Sequence, residues 1–259
     1  MLAVMLPFMR CTHCGGFSLK ENGSRLNCSG CAKYYEIKEG VIDTLDEDVQ
    51  EVITPFQRLM QTPAIVYIYE RFWRRLGYFL ASSRSFSEEL KTVLSMHPGG
   101  EVQRTLDLAC GTGIFTRPLA DRGGGAVVGL DLSRPMLQRA RRLASRSGIG
   151  NMILVRGSAF RLPFVDDTFS YINCCGALHL FDDPEHALSE IRRVLAPGGR
   201  LCVQTTIRPS RSAGIAYFLE KFIRFGFFSE SELDEMFRRR GFRVEHSERH
   251  RISVTFMCR

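Results

Sequence analysis

The sequence predicts an α/β protein in which helices cover both faces of a mostly parallel, doubly wound sheet, with a small cysteine-rich segment before it. Between residues 104 and 206, short apolar runs alternate with segments of helical periodicity, as expected of such a sheet. Near the N-terminus, two Cys-x-x-Cys pairs are separated by 13 residues, a spacing typical of a structural metal site.

Composition limits the class of protein. The 259 residues are 44% hydrophobic and 24% charged, ordinary values for a chain that can bury its own core. The longest apolar run covers residues 1–9 and contains a proline, whereas a membrane-spanning helix needs about 20 apolar residues. The run also lacks the basic leading region of a secretory signal. We therefore expect no membrane span and, because five of the nine cysteines are scattered, a reducing cytoplasmic location.

The net charge of +7 comes from arginine, since the chain has 30 arginines and 5 lysines. GC-rich codon usage accounts for such a skew without any nucleic-acid partner. The arginines cluster in residues 139–146 and 238–243. We interpret both clusters as solvated faces of surface helices, and an RNA-binding patch is the alternative.

The cysteine-rich segment is predicted to be a zinc ribbon. Its four candidate ligands are Cys11, Cys14, Cys28 and Cys31. A tetrahedral zinc ion can take two thiolates from each of two tight turns, and Asn22-Gly23 between the pairs indicates a hairpin. Two disulfides or a redox pair are the alternatives. Because four thiolates close the site, we expect structural Zn²⁺ without hydrolytic chemistry, and His13 outside the ligand set.

A linker and helical segment is expected at residues 46–98. Within it, the apolar side chains that recur at helical spacing are Ile65, Ile68, Phe72, Leu76 and Phe79. Such a stripe predicts a helix that packs in the core. The alternative is a helix that caps a cofactor or substrate pocket.

The first strand of the predicted sheet ends in a glycine-containing turn. Residues 107–113 read Asp-Leu-Ala-Cys-Gly-Thr-Gly, and a helix follows. The third glycine of a dinucleotide-binding fingerprint would fall at Thr116, so that fingerprint does not match. The second strand ends in Asp131, 18 residues after Gly113, where an acid can accept hydrogen bonds from ribose hydroxyls. Met136, in the next helix, is placed to pack on a flat purine.

Taken as a set, the motifs resemble those of class I S-adenosyl-L-methionine-dependent methyltransferases, in the subgroup of the ubiquinone and menaquinone C-methyltransferases. The motifs are DLACGTG at 107–113, VVGLDLS at 127–133, GSAFRLPF at 157–164 and EIRRVLAPGGRL at 190–201. With the cysteine segment included, the chain is also similar to plastid-type methyltransferases of unsettled substrate and to zinc-ribbon rRNA guanine-N1 methyltransferases. We therefore expect a Rossmann-like, seven-stranded, doubly wound sheet at 99–259, its last strand antiparallel, after a zinc ribbon at 1–45.

The resemblance implies S-adenosylmethionine as cofactor and gives roles to matching residues. Asp107 would orient the loop and the amino-acid part of the cofactor, and Asp131 would hold the ribose hydroxyls. The residues whose backbone would approach the methionine and the ribose are Ala109, Cys110, Gly111 and Gly113. Leu132 and Met136 would flank the adenine.

The resemblance also assigns residues after the third and fourth strands. Ser158 and Ala159 would lie at the adenine edge, and Cys174 would lie beside the sulfonium. Two positions depart from the family pattern, because its usual acids at 158 and 170 are both serine here. Ser158 can still accept one hydrogen bond from the adenine amine, without a charge.

Methyl transfer needs an acceptor aligned at roughly 3–3.5 Å from the methyl group, and a base only if the acceptor atom carries a proton. His179, just past the fourth strand, is the candidate base, and a purely local structural role is equally open.

The acceptor is predicted from residues 207–228, where Phe218, Phe222, Phe225, Phe227 and Phe228 lie close together. We interpret these rings as an apolar lid, which indicates a hydrophobic or aromatic small-molecule acceptor of the quinone, phenol, lipid or polyketide type. Plain core packing is the alternative. Two other functions stay open: an rRNA or tRNA base methyltransferase, and a cofactor-binding protein of this fold that does not methylate. The sequence gives no oligomeric state.

Overall fold

The computed structural model describes residues 2–45, 58–59, 61–99, 104–122, 125–209 and 226–259, with Trp73 described by its backbone only. Among these residues, no helix combines the length and the hydropathy that crossing a bilayer requires.

The N-terminal segment folds as a small antiparallel sheet after one short helix. These elements are α1 (Leu2–Met5), β1 (Leu19–Asn22), β2 (Arg25–Cys28), β3 (Tyr34–Lys38) and β4 (Val41–Asp43). Each of the four strands pairs antiparallel with the next. The turn between β1 and β2 contains Gly23 in a left-handed conformation, as the hairpin prediction requires.

Three helices of six or more residues lie in the described part of the chain before the main sheet. They are α2 (Pro63–Ile68), α3 (Arg74–Ser82) and α4 (Phe86–Met96), and a π-helical turn at Tyr69–Trp73 joins α2 to α3. Ser85 caps α4 in a full capping box with Glu88, which satisfies two of the free N–H groups at the start of the helix.

Among the described residues, the main sheet has seven strands, and four α-helices flank it. The strands are β5 (Arg104–Leu108), β6 (Ala126–Asp131), β7 (Met152–Arg156), β8 (Phe169–Cys175), β9 (Leu195–Thr206), β10 (Val244–His250) and β11 (Ser253–Cys258). The helices are α5 (Thr116–Asp121), α6 (Arg134–Arg146), α7 (Pro184–Val194) and α8 (Glu230–Arg239).

The strand order in this part is β7-β6-β5-β8-β9-β11-β10, and only β11 runs antiparallel to its neighbours. The prediction of a doubly wound, Rossmann-like sheet with an antiparallel last strand is therefore confirmed. The order reverses between β5 and β8, and such a reversal opens a crevice at the carboxyl ends of the strands.

The N-terminal strands extend this sheet, which the sequence did not indicate. β4 pairs parallel with β7, so the full sheet has 11 strands. At the seam, the carboxylate of Asp43 forms ion pairs with Arg134 and Arg156, and Thr44 Oγ1 donates to the Arg156 carbonyl at 2.9 Å. The ribbon is thus fastened to the strand and the helix that border the crevice.

The apolar stripe of α2 and α3 is not buried in the core. Phe72, Leu76 and Phe79 are each more than half exposed, so the expectation of core packing was wrong for these three side chains. Tyr78, on the other face of α3, is buried. The helix has apolar residues on two faces, and periodicity alone does not decide which of them meets the sheet.

The predicted lid lies mostly outside the described residues, which include neither Phe218, Phe222 nor Phe225. Phe227 is buried, and Phe228 packs partly buried against the core. The Arg208 N–H donates to the Phe228 carbonyl at 2.8 Å, so the segment rejoins the sheet beside the end of β9.

The sheet is tightly packed around Gly129, in the middle of β6, beneath the glycine-containing turn. A Cβ there would lie 3.0 Å from Cys110 Sγ, 3.1 Å from Leu154 Cδ2 and 3.2 Å from Thr116 Cγ2. We expect Gly129→Ala to lower the free energy of unfolding by about 1–3 kcal/mol through overpacking. Gly150→Ala is the matched control, because a Cβ at Gly150 meets nothing within 4 Å. Equal unfolding midpoints in denaturant for the two variants would contradict this packing.

Candidate active site

A cavity of about 340 Å³ lies at the carboxyl ends of the central strands, where the strand order reverses. The residues after β5, β6 and β7 that line it are Ala109, Gly111, Asp131, Leu132, Ser133, Met136, Gly157 and Ala159. The other lining residues include Tyr69, Arg74, Tyr78, Gly176, Ala177, His179, Leu180, Phe181, Gln204, Thr205, Thr206 and Ser253. We call the residues after β5, β6 and β7 the first wall, and those of the π-helical turn and α3 the second wall. The turn after β8 and the end of β9 also line the cavity.

The turn after β5 brings backbone to the cavity. Ala109, Gly111 and Gly113 all have positive φ, at 55°, 55° and 75°. Ala109 carries a Cβ in a conformation that favours glycine, a local strain of the kind found at ligand-binding loops. Cys110 and Gly113 do not line the cavity: Cys110 is buried, and a Cβ on Gly113 would lie 3.3 Å from that of Ala140.

Asp107 fastens this turn from behind and does not line the cavity. Its buried carboxylate accepts hydrogen bonds from Thr116 Oγ1 and, at 2.7 Å, from Asn173 Nδ2. Burial raises the pKa of Asp107 to about 6, although both hydrogen bonds oppose this shift. The structure thus places Asp107 where it can orient the loop.

Asp131 joins the two loops that form the first wall. Its carboxylate accepts the Gly111 N–H at 2.7 Å and the Ser133 N–H at 2.8 Å. Burial raises the pKa of Asp131, and these backbone hydrogen bonds oppose the rise. Because a carboxylate has about four acceptor positions, further donors such as hydroxyl groups can bind to it. Leu132 and Met136 lie next to it on the wall of the cavity.

Of the three contact residues predicted after the third and fourth strands, Ser158 and Cys174 do not line the cavity. Ser158 is buried, and its Oγ accepts the Phe160 N–H at 3.0 Å within its own turn. Cys174 is fully buried, and Gly176 reaches the cavity instead. The third of them, Ala159, does line the cavity.

His179 is buried in a short 3₁₀ turn and lines the cavity, with Nδ1 3.4 Å from Thr205 Oγ1. Burial, and to a lesser degree the charge of Arg74, lowers the pKa of His179 to about 3. The imidazole is therefore neutral at physiological pH and is a weak base.

Arg74 is a site residue that the sequence interpretation missed. Its guanidinium forms an ion pair with the fully buried Glu89, and its Nη2 donates to Gln204 Oε1 at 3.3 Å. A Cβ on Gly176 would lie 3.1 Å from Nη2, so the arginine reaches the end of β8. Its spacing of four residues from Tyr78 was the available signal, since both side chains fall on one helix face.

The π-helical turn that leads into α3 is attached to the glycine-containing turn. Glu70 accepts a hydrogen bond from Thr112 Oγ1 at 2.6 Å and pairs with Arg117 at 3.0 Å. The second wall of the cavity is thus held directly against the first, as the capping alternative for this helix implied.

The four ribbon cysteines form a separate cluster. All four sulfur atoms lie within 4.8 Å of one another, and the Cys11–Cys31 and Cys14–Cys28 pairs are both 3.6 Å apart. Zinc bound to four sulfurs at about 2.3 Å requires sulfur–sulfur distances of about 3.8 Å, so the cluster fits the ion. His13 is not in the cluster.

The comparisons with known proteins agree with this geometry. Residues 106–203 match a family described as a methyltransferase domain. An uncharacterized chloroplastic methyltransferase of Arabidopsis thaliana is 30% identical over 198 residues, which are 73% of this chain and 56% of that protein. The demethylmenaquinone methyltransferase of Lactiplantibacillus plantarum is 38% identical over 124 residues, which are 47% of this chain and 52% of that protein. The chain thus spans about half the length of the curated relatives it matches.

A solved structure shows the same fold. A SAM-dependent methyltransferase from Aquifex aeolicus superposes with a TM-score of 0.59 at 18% identity, covering 76% of this chain and 97% of that one. These matches confirm the resemblance that the motifs indicated. Residues 106–203 form a methyltransferase domain, set in the fold of the S-adenosylmethionine-dependent methyltransferases.

Proposed function

We propose that this protein transfers a methyl group from S-adenosylmethionine to a hydrophobic or aromatic small molecule of the quinone, phenol, lipid or polyketide type. One observation carries the proposal: a single cavity is lined both by hydrogen-bonding groups suited to a nucleoside, at the turns after β5 and β6, and by aromatic and apolar side chains, among them Tyr69, Tyr78, Leu180 and Phe181. The similarity to a demethylmenaquinone methyltransferase supports an acceptor of this class.

Residues of the first wall, together with Arg74 of the second wall, fit the cofactor. Asp131 has acceptor positions left for ribose hydroxyls, and Leu132 and Met136 offer apolar surfaces for a purine. Arg74 suits the methionine carboxylate, because a guanidinium has N–H donors beyond those used by Glu89 and Gln204. When bound, S-adenosylmethionine supplies an activated methyl group.

The chain's own task is then to orient the acceptor and exclude water. Leu180, Phe181 and Tyr78 also line the cavity and present apolar surface to the acceptor. His179, neutral because its pKa is lowered to about 3, is better suited to hold a polar atom of the acceptor by a hydrogen bond than to remove its proton. We propose this orienting role for it.

The RNA alternative finds less support in the charges. Arg238 and Arg239 both pair with Glu235 at 2.7 Å, Arg240 pairs with Glu185 at 2.5 Å, and Arg243 pairs with Glu245 at 3.5 Å. These three glutamates offset part of the charge of one of the two arginine clusters, which weakens it as a phosphate-binding surface.

For the ribbon we propose a structural Zn²⁺ ion bound by its four cysteines. The ion would fold the segment and so hold β4 against β7. A thiolate site of this kind persists in a reducing compartment, and we propose the cytoplasm.

The proposed function is tested with labelled S-adenosylmethionine and a cell extract, counting label in the organic phase and in RNA. We expect label in the organic phase. Asp131→Ala should lower its incorporation roughly 10- to 100-fold at limiting cofactor, because charged hydrogen bonds are lost. Asp166→Ala is the control, since Asp166 is exposed and lies outside the cavity. Label recovered in RNA alone would refute the small-molecule proposal.

The burial of His179 predicts a pH dependence of stability. Between pH 6.5 and about 3, the unfolded chain binds a proton at this residue and the folded chain does not. Folding is therefore weakened as the pH falls, by at most about 1.4 kcal/mol per pH unit from this group. We expect His179→Gln to show a shallower loss of unfolding free energy between pH 6.5 and 4.5 than the unmodified protein.

The exposed His186 gives the matched control, and His186→Gln should keep the original slope. Asp107, with its pKa raised to about 6, contributes with the opposite sign in this window, but equally in all three proteins. Identical slopes for His179→Gln and the unmodified protein would show that His179 is not buried as described.

Zinc content tests the ribbon. We expect about one zinc ion per chain in protein purified without chelators, and almost none in Cys28→Ser, together with a lower thermal unfolding midpoint. His13→Ala should retain the ion, because His13 lies outside the cysteine cluster. Loss of zinc from His13→Ala, or its retention in Cys28→Ser, would contradict this ligand set.

A further inference from the structure

The helical segment that lines the cavity has a second side, which carries exposed apolar side chains. We define the outer face as the exposed apolar side chains of α2, the π-helical turn and α3, namely Ile68, Phe72, Leu76, Phe79 and Leu80. Phe72 is 65% exposed, and Phe72, Leu76 and Leu80 follow each other at intervals of four residues. A continuous apolar strip of this kind on a helix marks an interaction surface rather than scattered exposure.

The charges beside the outer face are basic. Arg71 and Arg75 are both exposed, and residues 71–80 contain no acidic side chain. Glu70, the nearest acid before them, pairs with Arg117 on the cavity side. Arg75 is the neighbour of Leu76 along the chain, and its guanidinium lies 5.5 Å from the centre of the Phe86 ring on α4. Such a face complements an apolar layer covered by anionic groups.

The outer face is also continuous with the candidate active site. Tyr69, Arg74 and Tyr78, on the inner side of the same helical segment, line the cavity. One helix therefore separates the cavity from the outer face. An acceptor dissolved in a lipid layer would need to move only past this helix to reach the site.

We propose that the outer face docks on the surface of an anionic lipid bilayer, with the apolar side chains in the headgroup region and Arg71 and Arg75 against lipid phosphates. Long arginine stems allow this, because the charge can stay at the interface while the stem lies along apolar surface. A two-fold contact with a second copy fits less well, since it would bring the arginines of both copies together. This inference rests on the proposed function, because a bilayer would be the source of the hydrophobic acceptor.

The test is co-sedimentation with vesicles. Vesicles of phosphatidylcholine with phosphatidylglycerol are compared with vesicles of phosphatidylcholine alone. We expect binding to the anionic vesicles, weakened by salt, and a roughly tenfold or greater loss of partitioning for the double variant Phe72→Ser with Phe79→Ser. Phe17→Ser is the matched control, because Phe17 is 67% exposed but lies on the ribbon. Arg71→Gln should weaken binding to the anionic vesicles and leave any binding to the phosphatidylcholine vesicles unchanged.

Either of two vesicle results would overturn the proposal: no sedimentation of the unmodified protein with anionic vesicles, or equal partitioning of the double variant and Phe17→Ser. Sedimentation velocity gives a third such result, a dimer that the double variant converts to a monomer, which would assign the face to a second copy. Vesicle binding does not depend on catalysis. Label in the organic phase without vesicle binding would therefore refute the docking surface alone, whereas vesicle binding without methyl transfer would refute the proposed function alone.

Discussion

The buried ion pair between Arg74 and Glu89 decides how the helical segment lies on the sheet. An arginine within an apolar helix is costly to bury without a partner, and Glu89, on the neighbouring α4, is a fully buried one. Pairing turns the Arg74 face toward the end of β8. The same rotation leaves Phe72 and Phe79 in solvent, so the cavity and the exposed apolar strip are two results of one electrostatic constraint.

The opposite wall depends on a smaller set of contacts. Asp131 holds the turns after β5 and β6 through two backbone N–H groups, and Asp107 holds the first turn from beneath. The two carboxylates therefore hold the turns from different sides: Asp131 faces the cavity, and Asp107 is buried behind it. This arrangement explains how a loop with Ala109 in a left-handed conformation keeps its shape.

The sequence was sufficient for the features that depend on position along a strand. The alternation of strands and helices gave the doubly wound sheet, and Asp131 could be placed because it ends a strand. The sequence was insufficient where the direction of a residue decides whether it reaches the cavity. Cys174 and Gly176 are two residues apart, yet only Gly176 reaches the cavity, because the chain leaves the extended conformation after Cys175. Arg74 was missed because only its partner in another helix shows which helix face turns inward.

The parallel pairing of β4 with β7 has a consequence for solubility. Without the ribbon, β7 would be the last strand of the sheet, and its residues Met152–Val155 are all apolar. An open, apolar edge strand is a template for pairing with other chains, and proteins cover such edges. The ribbon therefore works as an edge cover, and the proposed Zn²⁺ site would make the fold of this cover depend on four thiolates. With such a site, oxidation of the thiolates would release the ribbon and expose β7 to self-association.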